Sequence, residues 1–261
     1  MIGALVKNTT LAYHPLIQQR YPVLSQAILS GASAQLRNAA TTAGNIMQRT
    51  RCPYFYDTAF PCNKRQPGSG CSSIPGFTRT NAVLGTSEYC IATHPSDMSV
   101  AMAALDAVIH VQGPHGNRSI PFANFHLLPG KTPHLEHNLK AGELITSVEI
   151  PALPAAVKSH YLKVRDRASY EFALTSAAVV LDAPGGTVRT ARIALGGVAT
   201  KPWRSVAAEQ AMIGQPANEQ TFRKAAEIAL SGAKPYKENG FKIELSKRTI
   251  VRALTIAGGM A

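Results

Sequence analysis

Residues 173–195 read ALTSAAVVLDAPGGTVRTARIAL. The apolar run over 173–182 predicts one strand and 187–195 predicts a second. APGG at 183–186 is turn chemistry that joins them as a hairpin. Just upstream, 160–166 (HYLKVRD) supplies a third strand. Downstream, helical patterns fill 204–213, 219–231 and 244–257. Strands followed by a block of helices define an α+β arrangement. PALPAAVK at 151–158 shifts the composition to Pro and Ala and marks a linker, dividing the sequence into domains at 1–155 and 156–261.

The first part mixes both element types. PVLSQAILS at 22–30 predicts a short helix, with Pro22 in its first turn and Gly31 as its C-terminal cap. A second helix is predicted over 97–109, capped by Ser96 or Asp97, with Ala101, Leu105 and Val108 or Ile109 at helical spacing. GPHGN at 113–117 reads as a turn between two strands, and ELITSVEIP at 143–151 as a strand stopped by proline.

Composition excludes several classes. The chain has 261 residues, 45% hydrophobic and 16% charged, which rules out disorder and fibrous folds. A chain of this size buries roughly 70–75% of its unfolded surface. No apolar run reaches the roughly 18–20 residues of a membrane span. MIGALVKNTTLAYHP lacks the basic-then-apolar pattern of a secretory signal. Lys and Arg number 27 against 15 Asp and Glu, a net charge of +12. These cations are scattered and no nucleic-acid module is present, so the charge points to acidic partner subunits or a phosphorylated cofactor.

Four cysteines, Cys52, Cys62, Cys71 and Cys90, fall within 39 consecutive residues as C-x9-C-x8-C-x18-C. The intervening Pro- and Gly-rich segments place them on loops. Metal binding, two disulfides and unrelated buried thiols all remain compatible with that spacing. Four thiolates suit zinc or an iron–sulfur cubane, and spacing does not separate these. Lys64, Arg65 and Arg51 are the nearby cations available to offset thiolate charge.

Elsewhere, Thr41, Thr42, Gly44 and Asn45 form a small polar loop able to approach a phosphate or ribityl chain, or simply a turn. Asp97 sits at a helix start. Lys163 and Arg165 share a strand face that reads as solvated. GKT at 130–132 lacks the rest of a P-loop, and no nucleophile elbow or dinucleotide fingerprint occurs. His134 and His137 lack a third ligand. With no nucleophile–base pair, any reactivity must come from a cofactor.

GASAQLRNAATTAGNIMQRTRCPYFYD (31–57), PCNKRQPGSGC (61–71), GTSEYCIATHPSDM (85–98), YLKVRDRASYEFAL (161–174) and GGVATKPWR (196–204) together resemble one family. It is the FAD-binding subunits of periplasmic aldehyde oxidoreductases, within the molybdenum-containing xanthine dehydrogenase family. The resemblance covers essentially the whole chain. It implies a vanillyl-alcohol-oxidase-like FAD domain followed by a carbon monoxide dehydrogenase flavoprotein-type C-terminal α+β domain. It also implies FAD, a 4Fe–4S cluster on Cys52, Cys62, Cys71 and Cys90, and a heterotrimer with a molybdopterin large subunit and a 2Fe–2S small subunit. Such a subunit passes electrons from the 2Fe–2S clusters through FAD to an external acceptor. By the family's pattern Thr41, Gly44, Asn45, Asp97, Ile145 and Lys163 are cofactor-binding, with no catalytic residue of the chain's own. The family's Gly-rich first FAD loop precedes the stretch matched here, so the resemblance implies that these 261 residues alone bind FAD weakly or not at all. The expected location is periplasmic by co-export with a partner, or cytoplasmic. The competing expectation is an iron–sulfur or zinc scaffold subunit without FAD.

Overall fold

The computed structural model describes residues 1–154 and 157–260. The linker read at 151–158 includes residues 155 and 156, which lie outside the described residues. The first part of the chain runs β1 (Ile2–Gly3), α1 (Asn8–Tyr13), α2 (Pro15–Arg20), α3 (Pro22–Ser30), α4 (Ala34–Ala39), α5 (Thr42–Ile46), α6 (Pro53–Tyr56), α7 (Asp97–Ala104), β2 (Val108–Gly113), β3 (Gly116–Pro121) and β4 (Leu144–Glu149). Its strands form an antiparallel sheet in the order β1-β4-β2-β3. The second part runs β5 (Lys158–Val164), β6 (Thr175–Asp182), β7 (Thr190–Gly196), β8 (Trp203–Arg204), α8 (Val206–Met212), α9 (Glu219–Ala229) and α10 (Phe241–Ala257), with β5-β6-β7-β8 in sequential antiparallel order.

The strands and helices read after residue 158 all form, with edges shifted by a few residues. The predicted helix over 97–109 ends at Ala104. Asp106 adopts a left-handed φ of 52°, and Val108 and Ile109 join the ladder between β3 and β4. Their apolar spacing satisfied a helix, but β-branched side chains also suit a strand, and the partner strands decide.

Every residue of β6 is buried. Ala178 and Val180 face a first core with α3, α7 and the first sheet, whereas Ala177, Val179 and Leu181 face a second core with α8, α9 and α10. Side chains alternate faces along a strand, so this second sheet is a layer between two cores. Val83 and Leu84, from far upstream, belong to the second core, and the Leu84 backbone bridges to Ala199. The two parts of the chain therefore interleave. No helix among the described residues is long and apolar enough to cross a membrane.

Candidate functional site

The site grows from the start of α7. Ser96 is the N-cap, its Oγ accepting from the Ser99 amide at 3.0 Å and donating to Asn45 Oδ1 at 2.5 Å. Because serine does the capping, the Asp97 carboxylate is free to turn elsewhere. Its Oδ1 accepts from the Tyr161 hydroxyl at 2.5 Å, and its Oδ2 lies 2.8 Å from Lys163 Nζ. Tyr161 and Lys163 are two residues apart on β5 and so project from one face. Lys163 also donates to the Ser30 carbonyl at 3.1 Å, and Arg165 reaches the same oxygen at 3.0 Å. That carbonyl lies at the C-terminal end of α3, where cations are favoured.

The face read as solvated is thus covered at Lys163, whose side chain is only 4% exposed. The end of α3 and the start of α7 close over it, and Asp97 supplies the countercharge that makes the burial tolerable. Burial, then the neighbouring Asp97 charge, pushes the Tyr161 phenol well above its ordinary range. Gly31 permits the close approach: a Cβ there would stand 3.1 Å from Asp97 Oδ2.

Asp97, Lys163, Asn45 and Gly31 line one cavity of about 330 Å³, rimmed by Arg51 and Phe172. That size is at the lower end for a small-molecule site. Two other lining residues carry buried polar atoms without partners, Asn8 Oδ1 and Arg37 Nε. Orphaned buried groups cost stability unless something occupies them, so the cavity has the chemistry of a site for a polar ligand. A second cavity of about 200 Å³ shares Arg51, Ser96, Asp97 and Phe172 with the first and extends to His94 and Cys52.

Thr41 and Gly44 take a different part from the one expected of a polar loop. Thr41 caps α5, accepting from the Gly44 amide at 3.2 Å, so both groups are spent on the short helix that carries Asn45. Ile145 pairs with Val111 on the first sheet and packs against the first core; it does not line the cavity. The sequence assigns no site role to Tyr161, Gly31, Arg37 or Asn8, although Gly31 is expected as a helix cap. Only Tyr161 left a signal, its two-residue spacing from Lys163.

The four cysteines line one small chamber beside Thr50, Lys64 and Ser73. Cys52 is the N-cap of α6, Cys62 and Cys71 face each other across a backbone bridge, and Cys90 bridges to Ser87. Asn63 ties the walls together, accepting from the Gly70 amide at 2.9 Å and donating to the Tyr89 carbonyl at 3.1 Å. All four are free thiols, so the disulfide alternative does not describe this arrangement. Burial raises the Cys52 thiol, and lifts Cys90 to about 11 although the Lys64 ammonium pulls the other way. Of the three cations expected to serve the thiolates, Arg65 instead donates to the carbonyls of Tyr54, Phe55 and Phe60, and Arg51 lies over the Phe172 ring. Among the described residues no three His, Cys, Asp or Glu side chains form a ready site for a metal ion. The chamber encloses only about 10 Å³, and its donor set is four thiols.

Known proteins share this architecture. Residues 1–153 match the family described as FAD binding domain in molybdopterin dehydrogenase, and residues 160–261 match the CO dehydrogenase flavoprotein C-terminal domain. The aldehyde oxidoreductase FAD-binding subunit PaoB of Escherichia coli (strain K12) is 54% identical over 261 residues, spanning 100% of this chain and 79% of that protein. The glyceraldehyde dehydrogenase medium chain of Sulfolobus acidocaldarius is 31% identical, across 98% of this chain and 73% of its own length. Among solved structures, carbon monoxide dehydrogenase from Hydrogenophaga pseudoflava shares the fold, with a TM-score of 0.73 at 24% identity, covering 99% of this chain and 74% of that one. The chain belongs to the FAD-binding subunits of the molybdopterin dehydrogenases, in the xanthine dehydrogenase family.

Proposed function

We propose that this chain is the FAD-carrying medium subunit of a molybdenum-dependent aldehyde oxidoreductase. It would work in a heterotrimer with a molybdopterin large subunit and a 2Fe–2S small subunit, passing electrons from the latter to an external acceptor. Residues 1–155 would be the FAD-binding domain and 156–261 the C-terminal domain. The observation that carries this reading is the cavity in which Asn45, Asp97 and Lys163 meet, in a chain 54% identical to an aldehyde oxidoreductase FAD-binding subunit.

Bound FAD supplies electron acceptance and release that no side chain here provides. Asp97 offers carboxylate oxygens to hydroxyl-bearing parts of the ligand and Asn45, whose Oδ1 accepts from Ser96 and Gln48, offers its amide donor, while Thr41 and Gly44 hold Asn45 in place by capping its helix. Lys163 keeps a cation in a largely dry pocket, where it favours negative charge on the ligand. Ile145 supports the site at one remove, by packing its sheet onto the first core.

For the cysteine chamber we read a 4Fe–4S cluster, with Cys52, Cys62, Cys71 and Cys90 as ligands. The support is a thiol-only donor set around one chamber. Anaerobic purification of the chain, co-expressed with partner subunits, tests both cofactors. Resolved flavin bands and about four iron per chain are expected, with aldehyde oxidation only in the complex. Zinc in place of iron, with no flavin, would replace this reading with the scaffold alternative.

A further inference from the structure

We propose that Tyr161 is a positioning residue for the flavin site, fixing the Asp97 carboxylate through its hydroxyl; this rests on the reading of the cavity as the FAD site. Tyr161 is 4% exposed and does not itself line the cavity, whereas Asp97 and Lys163 do. Its hydroxyl lies 2.5 Å from Asp97 Oδ1. With Lys163 on Oδ2, each carboxylate oxygen has its own donor, so rotation of the carboxylate about its bond to Cβ is opposed from both sides. Hydrogen bonds to an ionised acceptor are short and strong, and a phenol held protonated can only donate to a carboxylate.

The tyrosine is itself tightly placed. Its backbone amide donates to Gln26 Oε1 on α3 at 2.8 Å, and its ring is part of the first core. Neighbouring Ser159 accepts from the Val23 amide at 3.3 Å, a second tie between β5 and α3. The donor therefore sits on a rigid strand of the second sheet, while the acceptor belongs to the helix that begins beside the pocket. Loss of the hydroxyl would leave Asp97 with Lys163 alone and let both turn away from the ligand. A displacement of that kind costs affinity without removing any group that touches the flavin.

The test is FAD titration of the full chain by fluorescence quenching, with Tyr161→Phe, Asp97→Asn and the double variant. Tyr161→Phe should weaken FAD about tenfold and displace the bound flavin's visible band, in addition to the fall in the flavin-free protein's thermal midpoint that the lost buried hydrogen bond causes. If Tyr161 acts through Asp97, the double variant binds no worse than Asp97→Asn alone. Unchanged affinity in Tyr161→Phe, or additive losses in the double variant, overturns the positioning role and leaves the flavin reading standing. Absence of flavin from the unaltered chain co-purified with its partner subunits overturns the flavin reading, and the proposal with it.

Discussion

Lys163 Nζ and Asp97 Oδ2 lie 2.8 Å apart with both side chains almost fully buried, joining the second sheet to the first residue of α7. A pair of this kind is costly to break from one side, because the surviving buried charge loses its counterion and Asp97 keeps only the neutral Tyr161 donor. Lys163→Met should therefore destabilise the protein by about 3–5 kcal/mol, read as a lower urea midpoint. The double variant Lys163→Met with Asp97→Leu should recover most of that loss. An undiminished midpoint in the single variant would mean that water reaches the pair.

Acid should weaken the fold through His126. Its Nε2 lies 3.0 Å from the Ile46 carbonyl, its ring is 7% exposed, and burial lowers it from 6.5 to about 4. Between those values the unfolded chain binds a proton that the folded chain does not. The histidine's share of stability is therefore complete above pH 6.5 and lost as pH falls to about 4. The loss is on the order of 3 kcal/mol. Urea midpoints measured across that range should show the slope, and His126→Gln should reduce it, leaving the part due to His94, whose imidazole is also pushed well down by burial.

Two glycines separate backbone strain from steric collision. Gly197 has φ of 70° and a Cβ there would come within 2.6 Å of the Ala173 carbonyl oxygen; Gly185 has φ of 61° with open space around it. Gly185→Ala should cost about 1–2 kcal/mol from the left-handed conformation alone. Gly197→Ala should cost clearly more, because the segment leading into β6 must shift as well. Equal losses in calorimetry would show that the 173–174 backbone yields freely.

Cys71→Ser tests the chamber. On the proposed 4Fe–4S reading, removing one of the four thiols should abolish bound iron and make residues 52–90 more open to proteolysis, because a bound cluster would order the loops. Full iron content in the variant would exclude Cys71 as a ligand.

Much was legible from local pattern. The second-part strands and helices, the 113–117 turn and the gathering of four cysteines each depend on residues close in sequence. Residues carrying the family's motifs at Asn45, Asp97 and Lys163 did meet at one cavity. Thr41, Gly44 and Ile145 do not line it, and no local pattern distinguishes a side chain that faces a cavity from one that caps the adjacent turn.

What the sequence by itself determined is therefore the set of elements, their order and the chemical groups on offer, because hydrophobic period and turn chemistry act over a few residues. Tertiary structure alone decided that β6 is covered on both faces. Its apolar run is compatible with one core or two, and only the placing of α3 and α7 on one side and α8–α10 on the other makes it a middle layer. The same placing turned Lys163 from an expected surface cation into half of a buried pair. Lys163 and Asp97 are 66 residues apart, and a counterion at that distance along the chain becomes a neighbour only when the layers close.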